Sequence, residues 1–286
     1  MVYPFFYGQA KSRLLLDVGF FYYNEYRRKY KKMEMYRMNN VIETMLNHRS
    51  VRKFKDEELT KEQITTIVEA AQSASTSSFI QAYSIIGITD KEKKKKLAEL
   101  AGNQSYVAEN GHVFVFCADL HRHSVAAEME GKDVSTSLES TEKFMVSLID
   151  AALAAQNAAL AAESMGLGIC YIGGIRNQLP EVVELLKTPD RVLPLFAIVV
   201  GYPDQHTDIK PRVPFHHVYH ENEYEQDLDK YKQELVEYND IISAYYKERT
   251  NNERSDTWTA QMIGMLDKKS RLYMKEFVEG KKFDLK

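Results

Sequence analysis

The spacing of hydrophobic and polar residues predicts a chain in which helices and strands alternate irregularly. In residues 60–74, Thr60 and Gln63 stand in the register of a capping box, and the apolar residues that follow recur at helical spacing. The longest such pattern, residues 141–166, predicts a helix that ends at Gly166. Its second half is rich in alanine, so we expect it to pack closely against its neighbours at a buried centre.

Short runs rich in β-branched or aromatic residues predict four buried strands. These runs are YSIIGIT (83–89), HVFVFCA (112–118), GICYIGGI (168–175) and LFAIVVG (195–201). Further helices are predicted after Asp90, from Pro180 to residue 187, and near 225–247 and 258–278 in a tyrosine-rich tail that has little core of its own. The mixed order of elements indicates an α+β protein.

Composition and charge limit the kind of protein. Of 286 residues, 44% are hydrophobic and 28% charged, which suits one large domain or two small ones. The net charge of −3 argues against nucleic-acid binding. No uncharged apolar run approaches the roughly 18 residues of a membrane span, so we expect no membrane partner. Cys117 and Cys170 lie in separate strand-like runs, which favours reduced, buried thiols and a cytoplasmic location.

Residues 1–37 differ from the rest of the chain. They are rich in Tyr and Phe and carry a net charge of +5, from eight Lys or Arg and three Asp or Glu. A basic arm for a membrane surface or a nucleic acid is one interpretation. The other is that translation starts at Met38, because the codons of Met33-Glu34 contain GGA at the spacing of a ribosome-binding sequence. We predict an upstream or disordered segment at 1–37 and one domain at 38–286.

Several catalytic motifs are missing from the sequence. No GxGxxG follows a strand, and there is no Walker sequence and no nucleophile elbow. His121 and His123 form a lone HxH, which is more often part of a polar loop than of a metal site. We therefore expect no metal and no catalytic nucleophile from the protein.

Four polar stretches together suggest a ligand, although each alone is typical of a solvated loop. The cations and hydroxyls of HRSVRKF, STSSF and KPR would suit a phosphate or ribityl chain. Charge-assisted hydrogen bonds to such a group contribute roughly 1.5–3 kcal/mol each. The glycine pair of YIGGIR would let the backbone approach a planar ring. FMN fits this inventory. The stretches are HRSVRKF (48–54), STSSF (75–79), YIGGIR (171–176) and KPR (210–212).

Eight motifs occur here in the order and spacing of one family: HRSVRKF, STSSFIQ, GNQSYV, AAQNAALAAESMGLG, YIGGIRN, LPLFAIVVGYP, KPRVP and ERTNNERSDTW. From Met38 to its last residue, the chain resembles the FMN-dependent nitroreductase family. Within that family it is most similar to the NADPH-linked, oxygen-insensitive nitro and flavin reductases. The resemblance implies a central, mainly antiparallel sheet surrounded by helices, in an intertwined homodimer.

The resemblance also implies where the cofactor binds. His48, Arg49 and Ser50 would lie at the phosphate and ribityl end of FMN, with Lys210 and Arg212 around the phosphate. Each of these side chains suits a phosphate or a hydroxylated chain, since all can donate hydrogen bonds.

Other residues would surround the flavin ring. Arg52 would lie near N1 and the C2 carbonyl, where a cation favours reduction. Thr76, which replaces a serine common in relatives, keeps its hydroxyl. The remaining implied contacts are Thr76, Ser77 and Ser78 from the facing loop or partner subunit, Gln104 at the polar edge, and Tyr171, Ile172, Gly173 and Gly174 along one face.

The resemblance assigns a donor and a reaction. Arg249 and Arg254 would bind the 2′-phosphate of NADPH. Hydride would pass to flavin N5, and a nitroaromatic, quinone or free flavin would then take two electrons in a ping-pong cycle. Two alternatives stay open: a physiological flavin reductase or NADPH oxidase with incidental nitroreductase activity, and a non-catalytic flavin-binding redox sensor.

Overall fold

A four-stranded sheet organises the larger part of the described chain. The computed structural model describes residues 39–286, so the prediction for residues 1–37 lies outside it. Each pair of neighbouring strands is antiparallel, as predicted. In spatial order β1-β2-β4-β3, the strands are Tyr83–Ile88 (β1), His112–Asp119 (β2), Val192–Gly201 (β4) and Gly168–Ile172 (β3).

Among the described residues, ten helices accompany this sheet in the sequence and form the α part of an α+β fold. The first four are Asn40–Leu46 (α1), Lys61–Gln72 (α2), Lys91–Leu100 (α3) and His121–Met129 (α4). The others are Ser135–Leu138 (α5), Thr141–Ser164 (α6), Leu179–Leu186 (α7), Leu228–Arg249 (α8), Trp258–Leu266 (α9) and Met274–Gly280 (α10). Short 3₁₀ turns occur at Ser77–Phe79, Ser105–Val107, Gly173–Gln178 and Phe215–His217.

The long helix α6 is the central helix of the core. Its alanines line the face that packs against α2 and the sheet, and they are at most 3% exposed at Ala151, Ala154, Ala155, Ala158, Ala159 and Ala162. Among residues 39–286, α6 is also the one helix long and apolar enough to cross a membrane. Its buried alanine face accounts for that composition, because the core helix of a folded domain passes the same test.

Local sequence signals explain where the predicted helices begin. Thr60 Oγ1 accepts a hydrogen bond from the Gln63 amide, and the Gln63 side chain accepts one from the Thr60 amide. This reciprocal pair confirms the predicted capping box. The Asp90 carboxylate caps α3 by accepting a hydrogen bond from the Lys93 amide, as predicted.

Contacts divide the described residues into two units. The main unit comprises residues 40–208 and 270–286 and contains the sheet. The second unit comprises residues 209–269, with α8 and α9. The second unit has only a small apolar cluster of its own, in keeping with the expectation of a tail with little core. The buried members of this cluster are Tyr238, Ile241, Ile242, Tyr245 and Tyr246.

Two predictions about local structure are wrong. The single helix predicted for residues 258–278 is broken between α9 and α10, where Arg271 has a left-handed backbone (φ 55°) and its guanidinium donates to Asn177 Oδ1. The HxH histidines, predicted to lie in a loop, instead begin α4. There, His123 Nε2 contacts the Ile80 carbonyl at 2.8 Å, so a main-chain oxygen holds that ring.

His112 makes the stability of the fold depend on pH. It is 3% exposed at the start of β2, and its Nε2 has no hydrogen-bond partner among the residues described. Burial, aided by the charge of Lys94, lowers the pKa of His112 from its ordinary value of 6.5 to about 4. Unfolding exposes this group to water, so the unfolded chain binds a proton more readily than the folded one.

We predict that lowering the pH from above 6.5 towards 4 costs roughly 3 kcal/mol of unfolding free energy through His112. The stabilising contribution is complete above pH 6.5 and is lost below it, because the folded-state pKa is the depressed one. Urea unfolding of the wild type and His112→Leu at pH 7, 5.5 and 4.5 measures this difference. The variant should show the shallower pH dependence.

His121→Gln is the matched control, since His121 is exposed on α4. The control should keep the wild-type pH dependence. Equal slopes for the wild type and His112→Leu would contradict the prediction.

Candidate active site

The basic segment at residues 48–54 lies along β3. Ser50 forms an isolated parallel bridge with Ile169, and the Val51 amide donates to the Ile169 carbonyl at 2.8 Å. Burial raises the pKa of the Cys170 thiol, whereas the charge of Arg52 and a hydrogen bond from Ser50 oppose that shift. The structure therefore places both Ser50 and Arg52 near Cys170 of β3.

An acidic residue near the end of α6, Glu163, contacts His48 and lines the same cavity as Arg49. His48 Nδ1 lies 2.7 Å from Glu163 Oε1. Arg49 and Val51 line a cavity of about 390 Å³ that Glu163 also lines, whereas Ser50 lies beside Cys170. This alternation is that of extended backbone. The other lining residues are mostly polar: Asn40, Glu43, Thr44, Asn47, Gly166, Leu167, Gly168, Pro203, Gln205 and His206.

A buried carboxylate anchors the hydroxyl-rich loop at residues 76–82. Asp150 is fully buried in α6, where Oδ1 accepts a hydrogen bond from the Ser77 amide at 3.1 Å. Its Oδ2 accepts one from the Ala82 amide at 3.0 Å. One side chain thus binds both ends of the loop, and charge-assisted hydrogen bonds of this kind are strong.

The loop between these two anchors contains three residues with energetically unfavourable backbone angles. Ser78, Phe79 and Gln81 have positive φ angles of 49°, 60° and 53°, which cost energy for residues other than glycine. Thr76 Oγ1 is buried and has no partner among the described atoms, so it is open to an external hydrogen bond. Phe79 is 81% exposed at the loop's tip. The loop is a preformed surface that presents hydroxyls and one aromatic ring.

The glycine pair after β3 permits a close backbone contact. A Cβ atom at Gly174 would lie 2.4 Å from the Ala101 carbonyl oxygen and 2.5 Å from Gln104 Nε2, so a larger residue would have to displace backbone. Gln104 is therefore beside Gly174. Its amide already donates to the Ala101 carbonyl and accepts from the Tyr106 hydroxyl.

Tyr171 and Ile172 end β3 just before this turn. The Tyr171 ring is 37% exposed and lies 5.7 Å from the Phe196 ring, while Ile172 is buried. Desolvation and the charge of Glu163 raise the pKa of Tyr171 to about 12. Its phenol therefore stays protonated at neutral pH and can donate hydrogen bonds, but it does not act as a base.

In the second unit, two buried tyrosines position the remaining predicted cations. Lys210 Nζ and the Arg254 guanidinium lie 5.5 Å and 4.3 Å from the centre of the Tyr246 ring. Arg249 Nη1 donates to the Tyr245 hydroxyl at 3.0 Å. Cations over aromatic faces are held by the ring quadrupole and keep their charge available.

Two further contacts of the second unit bear on these cations. Burial raises the pKa of Tyr238, and the charge of Arg212 opposes that shift, so Arg212 lies near this ring. The Arg254 Nε atom donates to Asp256 Oδ2 at 2.8 Å, which ties its guanidinium to an adjacent carboxylate. Lys210, Arg212, Arg249 and Arg254 thus all lie beside tyrosines of one small cluster.

The motif analysis missed several residues that hold the predicted ones. Asp150 had a usable signal, because it is the one charged residue in the apolar run from Phe144 to Ala162. A lone carboxylate in such a run must find buried donors. The tyrosine pair at 245–246 lies three residues before Arg249, in a stretch whose pattern is that of an ordinary helix. Glu163 carries no signal, since its contact with His48 depends on the fold.

Comparison with known proteins shows which family this arrangement belongs to. Residues 45–202 match the nitroreductase family, and residues 210–286 match the C-terminal domain of that family. The chain is 58% identical over 247 residues to "FMN reductase (NADPH)" of Bacillus subtilis, an alignment that covers 86% of this chain and 99% of the relative.

Solved structures agree with this result. The structure of B. megaterium NfrA1 is 67% identical and superposes with a TM-score of 0.85, covering 86% of this chain and all of the other. NfrA1 nitroreductase from B. subtilis is 56% identical, with the same TM-score and the same coverage. The chain belongs to the nitroreductase family.

We predict that Asp150→Asn lowers the free energy of unfolding by about 1–3 kcal/mol. The amide nitrogen cannot accept from a backbone amide, so one anchor of the 76–82 loop is lost. Urea unfolding at pH 7 measures the change.

Glu142→Gln is the control for Asp150→Asn, since Glu142 is an exposed carboxylate on the same helix. It should change stability by no more than about 0.5 kcal/mol. If both variants had the same small effect, the buried carboxylate would not be an anchor.

Proposed function

We propose that this chain is an NADPH-dependent FMN oxidoreductase that reduces nitroaromatics, quinones or free flavins. The observation that carries the proposal is the arrangement at β3. There, Ser50 and Arg52 lie beside the strand, and the turn that follows it admits only glycine at position 174. A relative that is 58% identical and named FMN reductase (NADPH) supports the same donor and cofactor.

The residues at this site suit FMN in their chemistry. Thr76 Oγ1 is buried without a partner in the described part of the chain, and such an atom suits a ligand hydroxyl. The glycine turn leaves no side chain between the backbone and a planar group. The residues proposed to bind FMN are His48, Arg49, Ser50, Arg52, Thr76, Ser77, Ser78, Gln104, Tyr171, Ile172, Gly173, Gly174, Lys210 and Arg212.

The protein's part in the reaction is binding and electrostatics. When bound, FMN would supply the redox chemistry, namely acceptance of hydride from NADPH and transfer of two electrons to the acceptor. Arg52 would place a positive charge beside β3, where it would favour negative charge on the flavin. No side chain needs to act as a nucleophile.

Arg249 and Arg254 are proposed to bind the 2′-phosphate of NADPH. A guanidinium is always charged and matches phosphate geometry with two parallel donors. Arg254 is engaged by Asp256 at 2.8 Å, so phosphate binding would exchange one anion for another at the same group.

We also propose a homodimer within the cytoplasm, with residues 38–286 as the FMN-binding domain. Met145, Ile149 and Leu153 recur every four residues on α6 and are 51%, 52% and 45% exposed. An apolar stripe of this kind on a core helix favours burial against a second subunit. Free, buried thiols at Cys117 and Cys170 fit a reducing compartment.

The proposed function predicts a yellow protein whose flavin absorbance bleaches quickly when NADPH is added without oxygen. Bleaching by NADH should be slower, because NADH lacks the 2′-phosphate. Adding a nitroaromatic, a quinone or free FMN should then restore the oxidised spectrum. In gel filtration, the same preparation should elute at the size of a dimer.

Each outcome separates the proposed enzyme from an alternative. A flavin that NADPH bleaches only over many minutes would favour a redox sensor. Fast bleaching followed by reoxidation with free flavin but not with nitroaromatics would favour a dedicated flavin reductase. A colourless protein that takes up no FMN would overturn the cofactor assignment.

We predict that Arg249→Ala combined with Arg254→Ala raises KM for NADPH by about ten-fold or more, because each charged contact contributes roughly 1.5–3 kcal/mol. KM for NADH should change less than about two-fold. Steady-state kinetics with both donors measure the difference.

Lys232→Ala removes an exposed cation from the same helix, α8, and serves as the control. It should leave both KM values unchanged. Equal increases for NADPH and NADH in the double variant would contradict a role in 2′-phosphate binding.

A further inference from the structure

Three side chains of the second unit converge outside the proposed active site. His216 and His217 lie in the turn Phe215–His217, and Glu237 lies on α8. Their ligand atoms all lie within 4.8 Å of one another. His216 Nε2 and Glu237 Oε2 are 3.6 Å apart, which is too long for a good hydrogen bond. The proposed reaction uses none of the three.

One nitrogen of the His217 imidazole has no hydrogen-bond partner among the described residues. Its Nε2 is buried and forms no hydrogen bond with any described residue. Its ring centre lies 4.6 Å from that of His216, at 75°, so the two rings meet edge to face. A buried polar atom in a native protein normally has a partner. We therefore expect this nitrogen to coordinate a metal through its lone pair or to donate a hydrogen bond to a ligand.

The surrounding charge favours a cation. Glu234 lies one helical turn before Glu237 and is only 7% exposed, and both carboxylates act on His217. Burial and the neighbouring His216 lower the pKa of His217. The group therefore places two imidazoles beside two carboxylates, a combination that repels anions and attracts metal cations.

The donor atoms select a class of metal. Two imidazole nitrogens and one carboxylate oxygen suit Zn²⁺, Co²⁺ or Ni²⁺, whereas Mg²⁺ and Ca²⁺ prefer oxygen ligands alone. Bonds of roughly 2.1 Å in a tetrahedron place ligand atoms about 3.4 Å apart. The His216–Glu237 separation of 3.6 Å already matches this value.

The wider separations in the cluster need only small movements. Closing a gap of up to 4.8 Å to tetrahedral spacing takes a shift of about 1.4 Å. The side chains of His216 and Glu237 are 54% and 27% exposed, so they can turn without disturbing the core. His217 would stay in place as the buried ligand.

We propose that His216, His217 and Glu237 bind a divalent transition-metal cation of the Zn²⁺ type. The ion ties the turn Phe215–His217 to α8, and a fourth position stays open to water. The ion would have no part in the proposed oxidoreductase reaction.

Zn²⁺ binding to the untagged, full-length chain tests the proposal. After treatment with a chelator and its removal, equilibrium dialysis with metal analysis should show one Zn²⁺ per chain, and Mg²⁺ at the same concentration should not compete. His217→Asn and Glu237→Gln should each weaken binding by about ten-fold or more. Zn²⁺ should also raise the thermal unfolding midpoint of the wild type by a few degrees and leave that of the variants unchanged.

His220→Ala is the matched control, because His220 lies three residues from His217 and outside the cluster. It should bind Zn²⁺ as the wild type does. Circular dichroism and flavin content show whether each variant is folded. If one of the two ligand variants does not fold, the other still tests the proposal. Absence of stoichiometric binding to the wild type, or binding that survives both ligand substitutions, would overturn the proposal.

Discussion

The close approach of α6 to the sheet is the constraint on which the rest of the main unit depends. Alanines on one face of α6 allow the helix to lie directly on β-strands and on α2. Larger side chains there would hold the helix away, and interiors packed at crystal-like density do not absorb that volume. With α6 so placed, Asp150 reaches the 76–82 loop and Glu163 reaches His48. One helix thus positions both the 76–82 loop and His48.

The 76–82 loop shows how an unfavourable local conformation is maintained. Its three positive-φ residues would relax in an isolated peptide, because none of them is glycine. Asp150 offsets that cost through two backbone hydrogen bonds, and His123 and Arg122 hold the Ile80 and Gln81 carbonyls. The hydroxyls are therefore oriented before any ligand arrives, which reduces the entropy lost on binding.

Sequence reasoning succeeded where local chemistry decides the outcome. The capping box at Thr60, the four strands and the alanine-rich helix all follow from local sequence and were confirmed. It failed where distant contacts decide. The break before α10 depends on Arg271 meeting Asn177, 94 residues away. Glu163 meets His48 across 115 residues, and the tyrosine cluster that carries the cations is set by the packing of the second unit. No local pattern encodes such pairs.

The Tyr246 ring contacts two cations for which different roles are proposed, and this limits how donor preference can change over evolution. Lys210, proposed for the cofactor phosphate, and Arg254, proposed for the donor phosphate, both lie over this one ring. A substitution at Arg254 alters the solvation and field of the ring and so also the environment of Lys210. Under these two proposed roles, a mutation at this ring would affect both phosphates, and a lineage that switched its nicotinamide donor through Arg254 would need compensating changes to keep its flavin affinity.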